Sequence, residues 1–309
     1  MTPRAKHLSH LFIMILFATG CLPSGPGETT LKTTPLRVDR KTETYQAHQT
    51  GDKLVPIAGQ PGELIWLTGV RASMLSEEGV ALPDRFMGYS TLDFQWAEWH
   101  NEKFGTAQSA RIFGLGRGMT EYGLPAGFGV PVHSNEPLWY SSRIVNPDPY
   151  LPVQRLSQEL TLSFRRNRGL SEPIAPVLVR PVDVRESDSH LWELPPGVKT
   201  VRTDITDLLY LNGKTRLVGA TAWMLDFAQQ ASLWDSTTGE ELLVLKAVTR
   251  ETGEVESLES YSDPEGIVLL PSHRYEIEAQ FHNSSQKSTY VGAYLNLYLE
   301  DSSFQLPPR

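Results

Sequence analysis

The chain has 309 residues, 40% of them hydrophobic and 9% aromatic, so it is long enough for one large or two smaller globular domains and too apolar to be wholly disordered. Its formal net charge is −8, from 28 basic and 36 acidic residues, which excludes the basic footprint of a nucleic-acid-binding protein. A single cysteine, Cys21, excludes an internal disulfide, an iron–sulfur cluster and a cysteine-rich zinc site.

The N-terminal segment predicts export and a lipid anchor. Two basic residues precede an unbroken apolar run at 11–17, which is too short to span a bilayer, and small residues lead directly into Cys21. Small residues before a cysteine resemble the lipobox of bacterial lipoproteins, which implies removal of residues 1–20 as a signal peptide and acylation of Cys21. Leu22 rather than Asp follows the cysteine, so we expect a bacterial cell-envelope protein at the outer membrane. A plain secretory signal with an incidental cysteine is the alternative.

Residues 21–50 are rich in Pro, Gly, Thr and Lys and predict a flexible lipidated tether. Beyond them the chain alternates with period two, or forms short β-rich runs between turn residues, and shows no long helical period. Nine segments fit strands: 63–70, 158–165, 177–184, 200–206, 216–223, 231–234, 241–248, 275–281 and 290–300. This spacing predicts an all-β fold, with two tandem jelly-roll-like β-sandwiches at 51–168 and 172–309 and a polar, basic boundary at 165–171. No clear strand is evident at 98–119.

Several short motifs follow one another in the second half. They are LPPGVKTV at 194–201, DIT at 204–206, VGATAWML at 218–225, DSTTGE at 235–240, PEG at 264–266 and YVGAYLNLYLE at 290–300. In this order they resemble the second domain of the copper type II, ascorbate-dependent monooxygenases, the peptidylglycine α-hydroxylating and dopamine β-type enzymes. The first half carries a weaker resemblance at 127–131. The resemblance implies two jelly-roll-like sandwiches, in agreement with the strand pattern.

The resemblance also implies where copper ligands would lie, and this chain has other residues there. The family's His-x-His pair corresponds to Thr221 and Trp223, its methionine to Tyr290, and its first-domain His-His pair to Gly88 and Tyr89. Imidazole and thioether suit copper because they accept both of its oxidation states, whereas an indole N–H is a donor only. We therefore expect no copper, no other metal or cofactor, and no catalytic residues of that family.

Other residue patterns carry little chemistry. The six histidines beyond the signal, His48, His100, His133, His190, His273 and His282, lack close ligand spacing, although a sandwich could bring His100 and His133 together. Gly114-x-Gly116-x-Gly118 lacks the spacing and the strand–helix context of a nucleotide site and predicts a glycine-rich loop. Asp226 and Asp235 are interpreted as exposed or turn-capping residues.

The segment 93–100, DFQWAEWH, is the most unusual in the chain. Trp96 and Trp99 have the aromatic area that stacks on sugars or on protein partners. Packing in the core of a sandwich is the interpretation that we prefer, and a glycan- or partner-binding face is the alternative.

Three hypotheses follow from these patterns. The first is a lipid-anchored protein with a copper-monooxygenase-like fold and a non-catalytic role, either structural or in binding a protein, a glycan or a small ligand in an interdomain cleft. The second is an active copper monooxygenase or copper-binding protein whose ligands are displaced. The third is a surface adhesin or envelope-complex subunit, which predicts an exposed aromatic patch that includes Trp96 or Trp99.

Overall fold

The protein is built almost entirely of β-strands. The computed structural model describes residues 26–39, 48–49, 53–55, 57, 62–147, 150, 152–168 and 170–306, so the predicted signal peptide and Cys21 lie outside the described residues. Two short helices, α1 (Ala97–Phe104) and α2 (Thr206–Leu209), and one 3-10 turn (Asp84–Phe86) interrupt the strands. The predicted all-β class is confirmed. Within the described ranges, no helix has the length and apolar character needed to cross a membrane.

The first half of the chain forms two sheets around an apolar core. Its strands are β1 (Gly27–Lys32), β2 (Leu36–Val38), β3 (His48–Gln49), β4 (Lys53–Val55), β5 (Leu64–Ser76), β6 (Ala81–Leu82), β7 (Met87–Phe94), β8 (Arg111–Gly116), β9 (Glu121–Gly123), β10 (Phe128–His133), β11 (Leu138–Ile144) and β12 (Gln154–Arg166). One sheet has the order β1-β12-β5-β10, with β2, β6 and β9 at its margins. The other has the order β3-β11-β7-β8, with β4 added to β11.

The second half repeats this architecture. Its strands are β13 (Ala175–Val184), β14 (Trp192–Leu194), β15 (Gly197–Asp204), β16 (Thr215–Met224), β17 (Ala228–Asp235), β18 (Glu240–Thr249), β19 (Val255–Leu258), β20 (Tyr261–Leu269), β21 (Tyr275–Asn283), β22 (Thr289–Val291) and β23 (Ala293–Glu300). The main sheets have the orders β13-β23-β16-β20 and β15-β21-β17-β18-β19, beside a small β14-β22 pair. All nine segments predicted as strands overlap strands here, because alternating burial such as that of β21 gives the period-two pattern directly.

A parallel pairing joins the two halves. β10 runs beside β13, with Phe128 opposite Ala175 and Gly129 opposite Pro176, so one sheet from each half merges into a sheet of eleven strands. One buried hydrophobic cluster runs through both halves. The start of the predicted boundary at 165–171 is held within the first half. Arg165 and Arg166 belong to β12, and the Arg166 guanidinium donates to both carboxylate oxygens of Glu63, at 2.8 and 2.6 Å. The sandwiches therefore lie side by side and are fused through a sheet.

The prediction of a flexible tether over 21–50 is wrong for part of its length. Residues 27–32 form β1 and residues 36–38 form β2, and both strands pair with β12. The side chains of β1 alternate between half-buried and exposed, as expected of an edge strand that covers a sheet from one side only. Such a strand needs few large apolar residues, which is why its composition resembles that of a linker.

Candidate functional site

Residues from both halves converge on a cleft of about 340 Å³. Four of the five positions that correspond to family copper ligands lie in its wall, namely Gly88, Tyr89, Trp223 and Tyr290. The remaining lining residues are Arg117, Arg143, Val145, Leu191, Met224, Leu225, Asp226 and Thr289. The fifth position, Thr221, is fully buried behind the wall. The cleft therefore lies between the two halves, and these residues come from both of them.

Trp223 forms the interface side of this cleft. Trp223 is the next-to-last residue of β16. Its Nε1–H donates to the carbonyl oxygen of Gly88, near the start of β7, at 3.1 Å. Its ring stacks on Tyr294, with centroids 5.4 Å apart and planes 19° from parallel. These contacts hold the indole across the junction between the halves, where it forms part of the cleft wall.

The glycines at 114, 116 and 118 make this contact between the halves possible. Gly114 and Gly116 lie in β8, not in a loop, and each faces side chains of the second half. A Cβ at Gly114 would lie 2.8 Å from Nδ2 of Asn296, and one at Gly116 would overlap Cδ1 of Trp223. Gly118 adopts a left-handed φ of +80° beside Val255. These three glycines, which we call the glycine strip, therefore let the two halves pack closely against each other. This corrects the prediction of a glycine-rich loop.

A buried ion pair forms the polar part of the cleft. The Arg117 Nη1 donates to Oδ1 of Asp226 at 2.9 Å, with side-chain exposures of 10% and 7%. The Nε of Arg117 is buried and has no hydrogen-bond partner. The next residue, Phe227, has φ of +66°, a strained value for a bulky side chain. Its ring fills the space beside Gly253, which fixes the turn that carries Asp226.

Aromatic rings form the accessible walls. Tyr290 is 67% exposed at the rim, and Arg143 lies over the ring of Tyr89 with its guanidinium carbon 5.1 Å from the centroid. Apolar side chains of Leu191 and Val145 complete the surface. Such walls bind flat or weakly polar faces, while Arg117 offers a donor to a ligand oxygen. The lining residues include neither histidine nor cysteine.

The residues at the family's copper positions do not fit copper. The hydroxyl of Thr221 accepts a hydrogen bond from Nδ2 of Asn296 at 3.1 Å, and the Trp223 indole is a donor already used by the Gly88 carbonyl. A glycine has no side-chain donor atom. Across the described part of the chain, no three His, Cys, Asp or Glu side chains are grouped as a metal site.

Two of the buried histidines, His100 and His133, meet at one carboxylate. His100 Nδ1 lies 2.8 Å from Oε1 of Glu136, both buried, and the other oxygen of Glu136 accepts the backbone N–H of His133 at 3.0 Å. The sandwich thus brings His100 and His133 to one carboxylate. Burial, and then the nearby Lys103 ammonium, lowers the pKa of His133. His273 and His282 lie near opposite ends of β21, and the side chain of His48 lies outside the described part of the structure.

The structure resolves the predicted roles of two aspartates. Asp235 accepts the backbone N–H groups of Thr237 and Thr238 and lies 2.5 Å from His273 Nδ1, so its predicted turn-capping role is confirmed. Asp226 is buried in its ion pair, so its predicted exposure is wrong. Sequence alone offers no signal that pairs it with an arginine 109 positions away.

The preferred interpretation of Trp96 and Trp99 as core residues is also wrong. They are 55% and 40% exposed, because α1 buries His100 and Phe104 and turns the tryptophans outward. The ammonium of Lys103 lies 4.6 Å from the ring centre of Trp99. The aromatic segment is therefore a surface feature at the first half, away from the cleft.

Comparisons with known proteins give a fold likeness only. No protein-family model matches the chain, and no curated protein matches it. Among solved structures, a peptide-N(4)-(N-acetyl-β-D-glucosaminyl) asparagine amidase is 9% identical over 88% of this chain and 96% of its own, with a TM-score of 0.36. A triple-jelly-roll protein of an archaeal virus is 14% identical over 90% of this chain and 56% of its own, with a TM-score of 0.23. At these scores neither likeness bears on activity.

Proposed function

We propose that the protein is a lipid-anchored component of the bacterial envelope, attached to the outer membrane through Cys21, that binds a small ligand in the cleft without catalysing a reaction. The observation that carries the proposal is the cleft itself, where aromatic walls from both halves surround the Arg117–Asp226 ion pair. Its volume of about 340 Å³ falls at the lower end of the range typical of small-molecule sites.

The chemistry of the walls supports a short glycan or a similarly amphipathic molecule as the ligand. Tyr89, Trp223 and Tyr290 supply ring faces, which suit the apolar face of a sugar. The unpartnered Nε of Arg117 supplies a buried donor, and a buried donor without a partner favours a ligand that brings a hydroxyl or carbonyl oxygen to it. The guanidinium of Arg143 at the entrance adds a second, exposed donor.

A binding role is favoured over catalysis because the lining includes neither histidine nor cysteine, and its one carboxylate is engaged in an ion pair. The single carboxylate of the lining, Asp226, accepts a hydrogen bond from Nη1 of Arg117 at 2.9 Å. General acid–base catalysis needs a group that can change its proton near neutral pH, and neither guanidinium in the lining does so.

The proposal is tested by ligand titration of the purified acylated chain in detergent micelles. We expect maltose, cellobiose or chitobiose to raise the unfolding temperature in a saturable way, since a ligand that binds only the native state stabilises it. Tyr290→Ala should weaken the apparent affinity at least fivefold. Tyr150→Ala, which removes another exposed tyrosine outside the lining, should leave it unchanged.

Two results would contradict the proposal. No saturable shift with any sugar or small amphipathic probe would remove the binding role. Equal weakening by Tyr290→Ala and Tyr150→Ala would place the binding elsewhere.

A further inference from the structure

We infer that the end of the first sandwich that carries α1 lies against the bilayer, with Trp96, Trp99 and Trp139 in its interface, and that the cleft opens at the end directed away from the membrane. The inference rests on the anchoring through Cys21 in the proposed function. It uses the length of chain between the anchor and the first strand, the strand register, and the placement of exposed tryptophans.

The chain between anchor and fold is short. β1 begins at Gly27, six positions after Cys21, and six peptide units span at most about 20 Å even when fully extended. Whatever the path of these residues, the start of β1 stays within about 20 Å of the acylated residue. We call this connection between Cys21 and β1 the leash. Its short length restricts the orientation of the folded part relative to the membrane, whereas a tether of thirty residues would not.

The register places one end of the sandwich at the start of β1. Gly27 lies opposite Phe164 near the end of β12, and the end of β12 lies beside the beginning of β5, where Ile65 faces Arg166. The start of β5 in turn lies beside the end of β10, where Leu64 faces His133. Three strand spacings of about 4.8 Å and three residues of about 3.3 Å along β10 separate His133 from Gly27, a distance of roughly 17 Å, which is within the reach of the leash.

Helix α1 belongs to the same end. It follows β7 directly, and Phe94 at the end of β7 lies opposite Leu138 at the start of β11. The ring of Trp99 packs 6.5 Å from that of His133, which ties the helix to the end of β10. We call this surface, from Gly27 across His133 to α1, the anchor end.

The exposed tryptophans of the protein lie at the anchor end. The chain has seven tryptophans, all within the described residues, and three of them are more than a third exposed: Trp96 at 55%, Trp99 at 40% and Trp139 at 39%. Trp139 is the second residue of β11, opposite Asp93. Tryptophan prefers the membrane–water interface, because its ring is apolar and its N–H remains hydrated there.

Charge at the anchor end is mixed. Arg165 and Arg168 are exposed there, while Glu98 and Glu102 lie on the exposed side of α1. Electrostatic attraction to lipid headgroups therefore does not drive the contact between the anchor end and the bilayer. The contact depends on partitioning of the tryptophans into the interface and on the short leash. Accordingly, the contact should form on neutral as well as on anionic lipids.

The cleft lies at the opposite end of the same strands. Gly88 and Tyr89 are at the start of β7 and Val145 follows the end of β11, whereas α1 follows the end of β7. The eight residues of β7 separate these ends by about 23 Å. With the anchor end on the bilayer, a ligand reaches the cleft from the aqueous side.

The test uses single-cysteine labelling of the full acylated lipoprotein, because Cys21 is the only native cysteine and acylation occupies its sulfur. Glu102→Cys on α1 and Glu77→Cys, an exposed glutamate just beyond the far end of β5, form a matched pair. Each is labelled with a fluorophore and reconstituted into phosphatidylethanolamine–phosphatidylglycerol vesicles that carry a nitroxide near the headgroup. We expect at least twofold stronger quenching at position 102. Equal quenching at both positions would overturn the orientation.

A second variant tests the leash. Insertion of twenty Gly/Ser residues after Ser24 should reduce quenching at position 102 at least twofold, and unchanged quenching would overturn the role of the short leash. The intact mass of the purified chain separates the two proposals. An unacylated chain would defeat the anchoring in the proposed function and this inference with it, whereas an acylated chain with equal quenching would defeat the orientation alone and leave cleft binding in place.

Discussion

Replacement of Gly116 by alanine tests whether the glycine strip holds the two halves together. A methyl group at this position would overlap Cδ1 of Trp223 and lie 3.2 Å from its Nε1, so the indole has to move. That movement breaks the hydrogen bond to the Gly88 carbonyl, worth about 1 kcal/mol, and the stack on Tyr294, also worth about 1 kcal/mol. With some residual strain from overpacking, we expect a loss of about 2–3 kcal/mol in the free energy of unfolding.

The assay is urea unfolding monitored by circular dichroism, with Gly123→Ala as the matched control. Gly123 also lies in a strand, but a Cβ there meets nothing within 4 Å, so the alanine should be neutral or stabilising by up to about 1 kcal/mol. In a Trp223→Ala background the cost of Gly116→Ala should fall below ~0.5 kcal/mol, since the clashing ring is gone. If Gly116→Ala lowers the free energy of unfolding no more than Gly123→Ala does, or by the same amount with and without the indole, the contact between Gly116 and Trp223 does not hold the halves together.

Four further predictions follow. The hydrogen bond from Arg274, with help from the Thr206 hydroxyl and N–H, lowers the pKa of Asp204 to about 2, below its ordinary 3.8, so its stabilising contribution is complete above pH 4 and is lost as the pH falls toward 2. Arg274→Gln should therefore flatten the fall of the urea midpoint between pH 4 and pH 2, and an unchanged slope would contradict this. Asp226→Asn, which strips the buried Arg117 of its carboxylate, should destabilise by roughly 2–4 kcal/mol in the same unfolding assay, against less than about 0.5 for Glu256→Gln in an exposed ion pair. Cys21→Ser should abolish acylation and shift the chain out of the membrane fraction, as measured by cell fractionation and intact mass; retention in membranes would point to another anchor. Copper loading followed by dialysis and elemental analysis should leave far less than one equivalent bound, because the ligand positions carry no imidazole; one equivalent of copper would restore the monooxygenase-like hypothesis.

The sequence predicted the fold class because its strands are amphipathic over most of the second half. β21 and β16 alternate or run apolar between turn residues, and these patterns depend only on local burial. The turn at Thr238-Gly239 is also local, with Gly239 at a φ of +75° between β17 and β18. Two strands were missed for different reasons: β1 alternates in burial but carries few large apolar side chains, and β10 is buried on both faces and so shows no alternation.

The candidate site was predictable only in part. Tyr89 and Trp223, which the sequence analysis singled out for another reason, both line the cleft, because the start of β7 and the end of β16 lie together there. The Arg117–Asp226 ion pair was not predictable, because it forms across the junction between the halves. The spacing of Gly114, Gly116 and Gly118 is visible in the sequence. The need for glycine at position 116 comes from the Trp223 ring on a distant strand, which no local pattern reveals.

The pairing of β1 with β12 also has a consequence for how the chain folds. Gly27 lies opposite Phe164, so 137 positions of chain must be made before the first strand meets its partner. The thirteen-residue strand β5 also pairs with β12, so this edge of β5 stays uncovered until β12 has been made. Contacts of such long range are slow to form, because the entropy of closing the intervening loop is lost before the ladder compensates for it. Until β12 has been made, the strand edges that it covers lie open, so the nascent chain is most exposed to aggregation during synthesis of the first half.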